Sequence, residues 1–322
     1  MNIKSALFLV VKIVVLTVVM FILFSVGSAI FTAELLASEM SPDESAMSAL
    51  GLLVVCLIDT MILSYFILRS RLSGLRLMVV VALVFYGVKT FTSMLEAWYF
   101  MTNIKAEELP GLFLFTVPMA VIFPLVAVPI LGKAKSKEED DESPNTRMVM
   151  PTRQLVGKVA FLSVVVYSAL FWAFGYYIAL QNPELTAFYG VTRPESFTAQ
   201  LGGLLATDPL VFVFEFFRGA LWIALAAPVI RTTKGKVWEA GLIVALLFSL
   251  VQNDVHLIPN PLMPLSVALS HFLETASSNL VYAVILTWLM HRSHSSLRDL
   301  FGLGRPAAKP AASAGGAPAA TR

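Results

Sequence analysis

Nine ionisable side chains stand inside, or at the edge of, long apolar runs: Asp59, Lys89, Glu96, Glu215, Arg218, Asp254, His256, His271 and Glu274. A charged group in hydrocarbon costs roughly 2.5–3.5 kcal/mol on insertion scales, so it faces a cavity or a partner. All nine are therefore candidate substrate-binding residues. His271 and Glu274 stand three apart and are the candidates for catalysis, His271 as general acid or base and Glu274 orienting it. The competing reading for each is structural, as neutralised pairs or helix contacts that hold the fold together.

Spacing sorts these groups. Tyr86, Lys89, Ser93 and Glu96 share one helical face, and His271, Glu274, Thr275 and Ser278 share another. Asp59 and Lys89 fall at equal depth in consecutive antiparallel runs, which predicts an ion pair. Glu215 and Arg218 are three apart and can neutralise each other. Alternatively, the Arg218 fork takes a phosphate or carboxylate from a ligand. Asp254, His256, His271 and Glu274 are metal-binding types whose runs meet at one short turn. Their spacing matches no compact metal motif, so no metal is assigned.

The rest of the composition sets the medium. Of 322 residues, 57% are hydrophobic and only 14% charged, against about 25% charged in soluble domains. Mean hydropathy is +0.79. These values exclude an ordinary cytoplasmic enzyme, a disordered chain and a disulfide-stapled module. The net charge of +2 gives no case for nucleic-acid binding. Cys56 is the single cysteine, so neither an internal disulfide nor a cysteine metal site can form. No phosphate-binding Gly-rich loop is present and no cofactor is expected.

Crossing the hydrocarbon core takes about 20 apolar residues. Eight runs qualify: Ala6–Phe31, Met47–Leu68, Leu75–Phe100, Gly111–Leu131, Lys158–Leu180, Pro209–Ile230, Val237–Leu257 and Met263–Met290. The expected class is all-α, a polytopic integral membrane protein with eight transmembrane helices. Asp208-Pro209 reads as an N-cap and first-turn proline, and Ser41-Pro42-Asp43-Glu44 as an interfacial start. Pro118, Pro124 and Pro129 predict a bent or unwound fourth span.

Loop charge gives the orientation. Lys4, Arg69, Arg71, Arg76, Lys133, Lys135, Lys137, Arg147, Arg153, Lys158, Arg231, Lys234, Lys236, Arg292 and Arg298 fall on one side of this arrangement. Glu34, Glu39, Asp43, Glu44, Glu107, Glu108 and Glu184 fall on the other, with few basic residues beyond Lys105 and Arg193. The positive-inside rule then places both termini in the cytoplasm of a bacterial inner membrane protein. Asp59, Lys89 and Arg218 come out near the midplane, and Glu96, Asp254 and His256 near the outer surface. A single cavity open to the outside would hold all nine groups.

Four units follow: an N-terminal half over 1–132, a charged cytoplasmic linker over 133–157, a C-terminal half over 158–292 and an Ala/Pro/Gly-rich disordered tail over 293–322. Spans one and five each carry a late glycine, Gly27 and Gly175. Spans two and six each end at a basic turn. Two parallel four-helix repeats explain these echoes, and so does the even division that any eight-span chain allows.

The string Phe214-Glu215-Phe216-Phe217-Arg218-Gly219 resembles part of the first motif of the CAAX-type intramembrane proteases. It lacks the paired glutamate, its spacing to Arg218 is one short, and Gln252 stands four residues after Phe248 where that family has histidine. The chain is assigned to no family on this string, and no residue role is carried over.

Three functions compete. A transporter or permease with an outward-facing polar cavity fits the midplane charges and the bent fourth span. An integral membrane enzyme acting on a lipid or lipid-linked substrate from the outer face fits a one-sided cavity. A structural or assembly subunit fits charges that only pack helices. The expected partners are membrane lipids and a small-molecule, ion or lipid substrate. The orientation predicts that a cysteine introduced at Ser143 is labelled by an impermeant maleimide only after the membrane is opened. Labelling in intact cells reverses it.

Overall fold

Backbone groups in hydrocarbon find partners only within helices or closed barrels, and this chain takes the helical solution. The computed structural model describes residues 2–32, 41–101, 105–135, 146–260 and 263–301. Among them, seven helices are long and apolar enough to cross a membrane. These are α1 (Ile3–Phe31), α2 (Pro42–Arg69), α3 (Gly74–Phe100), α4 (Leu109–Ile130), α5 (Thr152–Gln181), α8 (Leu210–Thr232) and α10 (Leu265–Met290). Two short helices, α6 (Pro183–Phe188) and α7 (Phe197–Thr207), lie between α5 and α8. A shorter apolar helix, α9 (Val237–Val251), precedes α10, and the four-residue α11 (Leu297–Leu300) follows it. Ser143, the core of the linker, Glu34, Glu39 and the tail from residue 302 lie outside the described residues.

The expected span Val237–Leu257 is regular helix only as far as Val251. At about 1.5 Å per residue α9 rises about 22 Å, short of the roughly 30 Å hydrocarbon core. Its last turn widens into a π-helix at Leu247–Val251, and a 3₁₀ turn follows at Asp254–Leu257. Asn253 explains the stop. Its side-chain amide donates to the carbonyls of Phe248 (3.2 Å) and Ser249 (3.1 Å), taking the place of the next helical turn. Beyond α9 the chain from Gln252 to Asn260 is irregular apart from that 3₁₀ turn, and its Gln252, Val255, His256, Ile258 and Asn260 line a cavity.

Helix starts follow local chemistry. Ser41 and Glu44 form a reciprocal capping box at α2, with Pro42 in the first turn. Asp208 does not cap α8, contrary to the expectation. It closes α7, and its carboxylate accepts the Tyr99 hydroxyl at 2.8 Å. The fourth span does break, at Phe115–Thr116, just ahead of Pro118. Neighbours take up the polar groups there. Tyr86 donates to the Phe113 carbonyl (3.1 Å), and the Thr116 hydroxyl meets that of Thr90.

Each half is a ring of helices. In the first, α1 packs on α2 and α4, and α3 on α4. In the second, α5 packs on α8 and α10, and α9 on α10. The rings join where α2 and α3 meet α8, α9 and the turn after α9. Leu16, Met20, Phe66, Phe85, Phe123, Trp222, Phe248 and Tyr282 fill the interior. Phe8, Leu83, Val121, Val164, Val213, Leu273 and Val284 are exposed on the outside, the surface expected to face lipid.

At the basic face the rings are fastened by backbone. Arg71 N donates to Thr232 O and Lys234 N to Arg69 O, both at 2.6 Å, so the two basic turns pair antiparallel at Ser70 and Thr233. Arg69 forms an ion pair with Glu239. Arg147, from the linker segment, is buried there and donates to Thr233 O (2.6 Å) and Gly235 O (2.5 Å). Lys158 caps the end of α10 through Leu289 O at 2.6 Å.

Two glycines set the closest approaches. A Cβ at Gly27 would lie 1.9 Å from the Phe115 carbonyl oxygen of α4, and one at Gly219 would lie 2.8 Å from Ser163 Cα in the π-helical part of α5. Both obstacles are backbone, so the helices themselves must separate. Gly27→Ala and Gly219→Ala are each expected to lower the thermal midpoint in detergent, at a cost of about 1–3 kcal/mol. Gly157→Ala, with no atom within 4 Å of the added carbon, is expected to leave it unchanged.

Candidate functional site

Lys89 sits in the middle of α3, inside a π-helical turn at Gly87–Phe91. Its ammonium is 2.9 Å from Asp59 Oδ2 of α2 and bonds Asp254 Oδ1 beyond the end of α9. All three side chains are closed from solvent. The Asp59–Lys89 pair matches the sequence expectation. Asp254 does not: it lies at the depth of Lys89, not near the outer surface, because α9 stops short and the 3₁₀ turn carries it inward.

Arg218 forms the second buried centre. Its Nη1 donates to both oxygens of Glu215, at 2.9 and 3.0 Å, and its Nη2 bonds Glu96 of α3. The rings of Phe171, Phe214 and Tyr167 lie 5.2, 5.7 and 5.9 Å from its guanidinium carbon. Two carboxylates and three aromatic faces occupy this cation, so the alternative in which it receives a phosphate or carboxylate ligand does not fit the geometry.

The cavity lies beside both centres and measures about 730 Å³, a size typical of ligand sites. Its walls come from the half of the bundle away from the basic face. Phe24, Ser28 and Thr32 end α1, Lys89 to Met101 end α3, and Trp172 to Leu180 end α5. The rest comes from the start of α4, from α6, α7 and the connection between them, from the segment after α9 and from the first turns of α10. The walls are chiefly apolar, with Phe100, Phe115, Phe171, Trp172 and Leu204 among them. Ser93, Glu96, Gln252, His256, His271, Glu274 and Thr275 make up its main polar cluster, while Ser28, Thr32, Gln200 and Thr207 are scattered elsewhere in the lining.

One chain of hydrogen bonds crosses that cluster. His271 Nδ1 lies 3.2 Å from Glu274 Oε2, and its Nε2 lies 2.8 Å from the Tyr189 hydroxyl. Burial pushes the Tyr189 phenol well above its ordinary value, so it stays protonated. The Tyr189 hydroxyl and the Glu274 carboxylate thus hold the two nitrogens of His271, one on each side. The ring of His256 lies alongside, 5.9 Å away at 26°. Tyr189 is held there by α6. Asn182 donates to Ser270 Oγ (2.8 Å), Ser266 donates to Glu184, and Leu185 packs with Ala179 and Val267. Such a relay can take a proton from, or return one to, a group bound in the cavity.

A second polar string backs the first. Gln252 donates to Ser93 Oγ and accepts from Asn279, both at 3.1 Å, and Thr275 bonds Asn253. Gln252, Asn253 and Asn279 tie α9 to α3 and α10 at the cavity floor.

The nine candidates therefore divide. Lys89, Glu96, His256, His271 and Glu274 line the cavity. Glu96 and Arg218 line a narrow cleft behind it. Asp59, Glu215 and Asp254 are wholly buried and reach neither. The single cavity for all nine is thus replaced by a cavity and two buried ionic centres. Of the weak metal candidates, Asp254 faces Lys89 and leaves His256, His271 and Glu274 as the remainder. Among the described residues no three His, Cys, Asp or Glu side chains converge on a metal position.

Tyr189, Gln252, Asn253 and Asn279 were not singled out from the sequence. Asn253 and Asn279 carry no formal charge, and Tyr189 stands in a connection with no helical period of its own. Only the run Gln252-Asn253-Asp254, three polar residues ending an apolar stretch, carried a signal.

The Lys89 centre gives a stability ordering. Removing one partner of a buried pair costs about 3–5 kcal/mol, because the other charge stays behind. Lys89→Met strands two carboxylates and should give the lowest thermal midpoint in detergent. The triple variant Lys89→Met, Asp59→Asn, Asp254→Asn should recover most of the loss. Additive losses contradict the shared centre. No family model, curated protein or solved structure matches this chain, so its functional reading rests on this geometry.

Proposed function

We propose that this chain is a bacterial inner membrane enzyme. It admits an amphiphilic, lipid-like substrate to the cavity from the outer leaflet and acts on it by proton transfer through His271, oriented by Glu274 and continued by Tyr189. The observation that carries this reading is the asymmetry of the cavity. The chiefly apolar walls suit an acyl or isoprenoid chain, the polar cluster around His271 and Glu274 suits its head, and every wall comes from one half of the bundle. The positive-inside rule assigns that half to the outside.

The basic face supports an enzyme over a transporter. Alternating access must open that side in turn, yet paired backbone, the Arg69–Glu239 ion pair and Arg147 close it. The transporter reading keeps one observation in its favour. The π-helical turns of α3 and α9 touch at the seam between the rings, and such turns mark functional distortions in helices.

The same proposal takes α9, with the segment after it, as the eighth crossing and the chain as two parallel four-helix halves. Three echoes support it. The basic turns pair with each other reciprocally. The third helix of each half carries a π-turn. The late glycine of each first helix faces the fourth, Gly27 against Phe115 and Gly175 against Glu274.

Protein reconstituted with total bacterial lipid tests the function. Wild type is expected to retain a lipid through purification and to change the mass of one lipid species over time. His271→Asn and Tyr189→Phe should retain the lipid and stop the conversion. Gly203→Trp, at a wall position with open space around it, should abolish retention without lowering the thermal midpoint. A lipid that crosses the bilayer with its mass unchanged points to transport. Absence of any retained lipid removes the proposal.

A further inference from the structure

Charge balance at the polar cluster bears on the head group of the ligand, given the reading of the cavity as an amphiphile site. Five carboxylates, Asp59, Asp254, Glu96, Glu215 and Glu274, surround two permanent cations, Lys89 and Arg218. Neither cation is free. Lys89 lies between two carboxylates with its side chain 1% exposed. Arg218 is bound by Glu215 and Glu96 and covered by aromatic rings. Both ring nitrogens of His271 are already engaged, Nδ1 with Glu274 and Nε2 with Tyr189.

The surplus carboxylates are the ones that meet the cavity. Glu274 is 6% exposed, and its exposed atoms face this space. Its Oε2 is bonded to His271, while Oε1 accepts no hydrogen bond from a described residue. Oε1 lies over Gly175, where an added Cβ would touch it at 3.6 Å, and both residues line the cavity. Glu96 likewise uses only Oε2, on Arg218, and its side chain is 23% exposed. Phe171, Trp172 and Phe100 flank the same region. A phosphate or carboxylate entering here would meet like charge, with Lys89 and Arg218 already paired to carboxylates. A cation would find two carboxylate oxygens and aromatic faces.

We infer that the cavity selects an organic cation, an ammonium or other onium group carried on an apolar body, seated between Glu274 and Glu96 against the aromatic wall. The inference rests on the proposed cavity reading and narrows its substrate class. It requires no protonation change and no metal. The cation is held by charge and by ring faces, and the apolar body by the remaining walls.

Trp172 reports on occupancy from within the wall. Three bromine-tailed decyl probes, a trimethylammonium, a phosphate and an uncharged alcohol, are titrated against the full chain in a nonionic detergent. The signal is the fluorescence quenching that Trp172→Phe removes. The trimethylammonium is expected to bind at least about tenfold tighter than the phosphate. Glu274→Gln and Glu96→Gln should each weaken the cation about fivefold and leave the alcohol unchanged. Displacement by soluble tetraphenylphosphonium would extend the class to compact cations, and its failure would confine the class to lipid-like ones. Either result satisfies the inference. If the phosphate binds as tightly as the cation, or neither Gln variant changes cation binding while the alcohol still quenches, the head-group inference is overturned and the apolar cavity stands. If no probe quenches Trp172, the cavity reading falls with it.

Discussion

The structure depends on the cost of a charge in hydrocarbon. Lys89 and Arg218 lie too deep to reach water, and each is met by two carboxylates drawn from elsewhere in the chain. Lys89 of α3 binds Asp59 of α2 and Asp254 beyond α9, so one ammonium joins the two helical rings. Arg218 of α8 binds Glu96 of α3, so a guanidinium joins them again a turn or two away. Buried pairs of this kind give little net stability, because desolvation offsets attraction. They do specify geometry, since every misdocked arrangement of the rings leaves a charge unpaired.

That requirement explains the irregular helices. A regular α9 would carry Asp254 outward, away from Lys89. The π-turn at Leu247–Val251 and the Asn253 side-chain bonds end the helix early and bring the carboxylate inward. Once the helix has stopped, the chain must leave the membrane by an irregular path, and that path needs polar company. Gln252, Asn253, Thr275 and Asn279 supply it. The cavity floor is thus a consequence of satisfying Lys89.

The two faces of the bundle follow opposite rules. On the basic face short turns pair through their backbones, so the helices converge and Arg147 covers the join. On the other face the link from α5 to α8 holds two short helices, and α9 gives out before reaching it. The helices there stand apart, and the space between them is walled by aliphatic and aromatic residues. On the proposed reading a chain-like molecule fills that space, with proton transfer at His271 and anionic charge from Glu274 and Glu96. Asp59, Asp254 and Glu215 are wholly buried, Glu96 both joins the rings through Arg218 and lines the cavity, and Glu274 lines the cavity beside His271.

The sequence by itself determined the helical class, the location of seven long spans and the alternation of loop charge, because apolar length and charge are local properties of the chain. It also determined the Asp59–Lys89, Glu215–Arg218 and His271–Glu274 pairings, which follow from depth in neighbouring spans or from a three-residue helical offset. The tertiary structure alone decided the depth of Asp254, since a helix that stops at Val251 looks in sequence like one that runs to Leu257. It alone decided that Arg218 is occupied, because Glu96 reaches it from a helix more than a hundred residues away in the chain. It alone brought Tyr189 onto His271, through a connection whose sequence has no period to read. Pairing within a span or between adjacent spans is written in spacing. Pairing across the two rings depends on where each helix bends and ends, and that is settled only when all the buried charges are satisfied together.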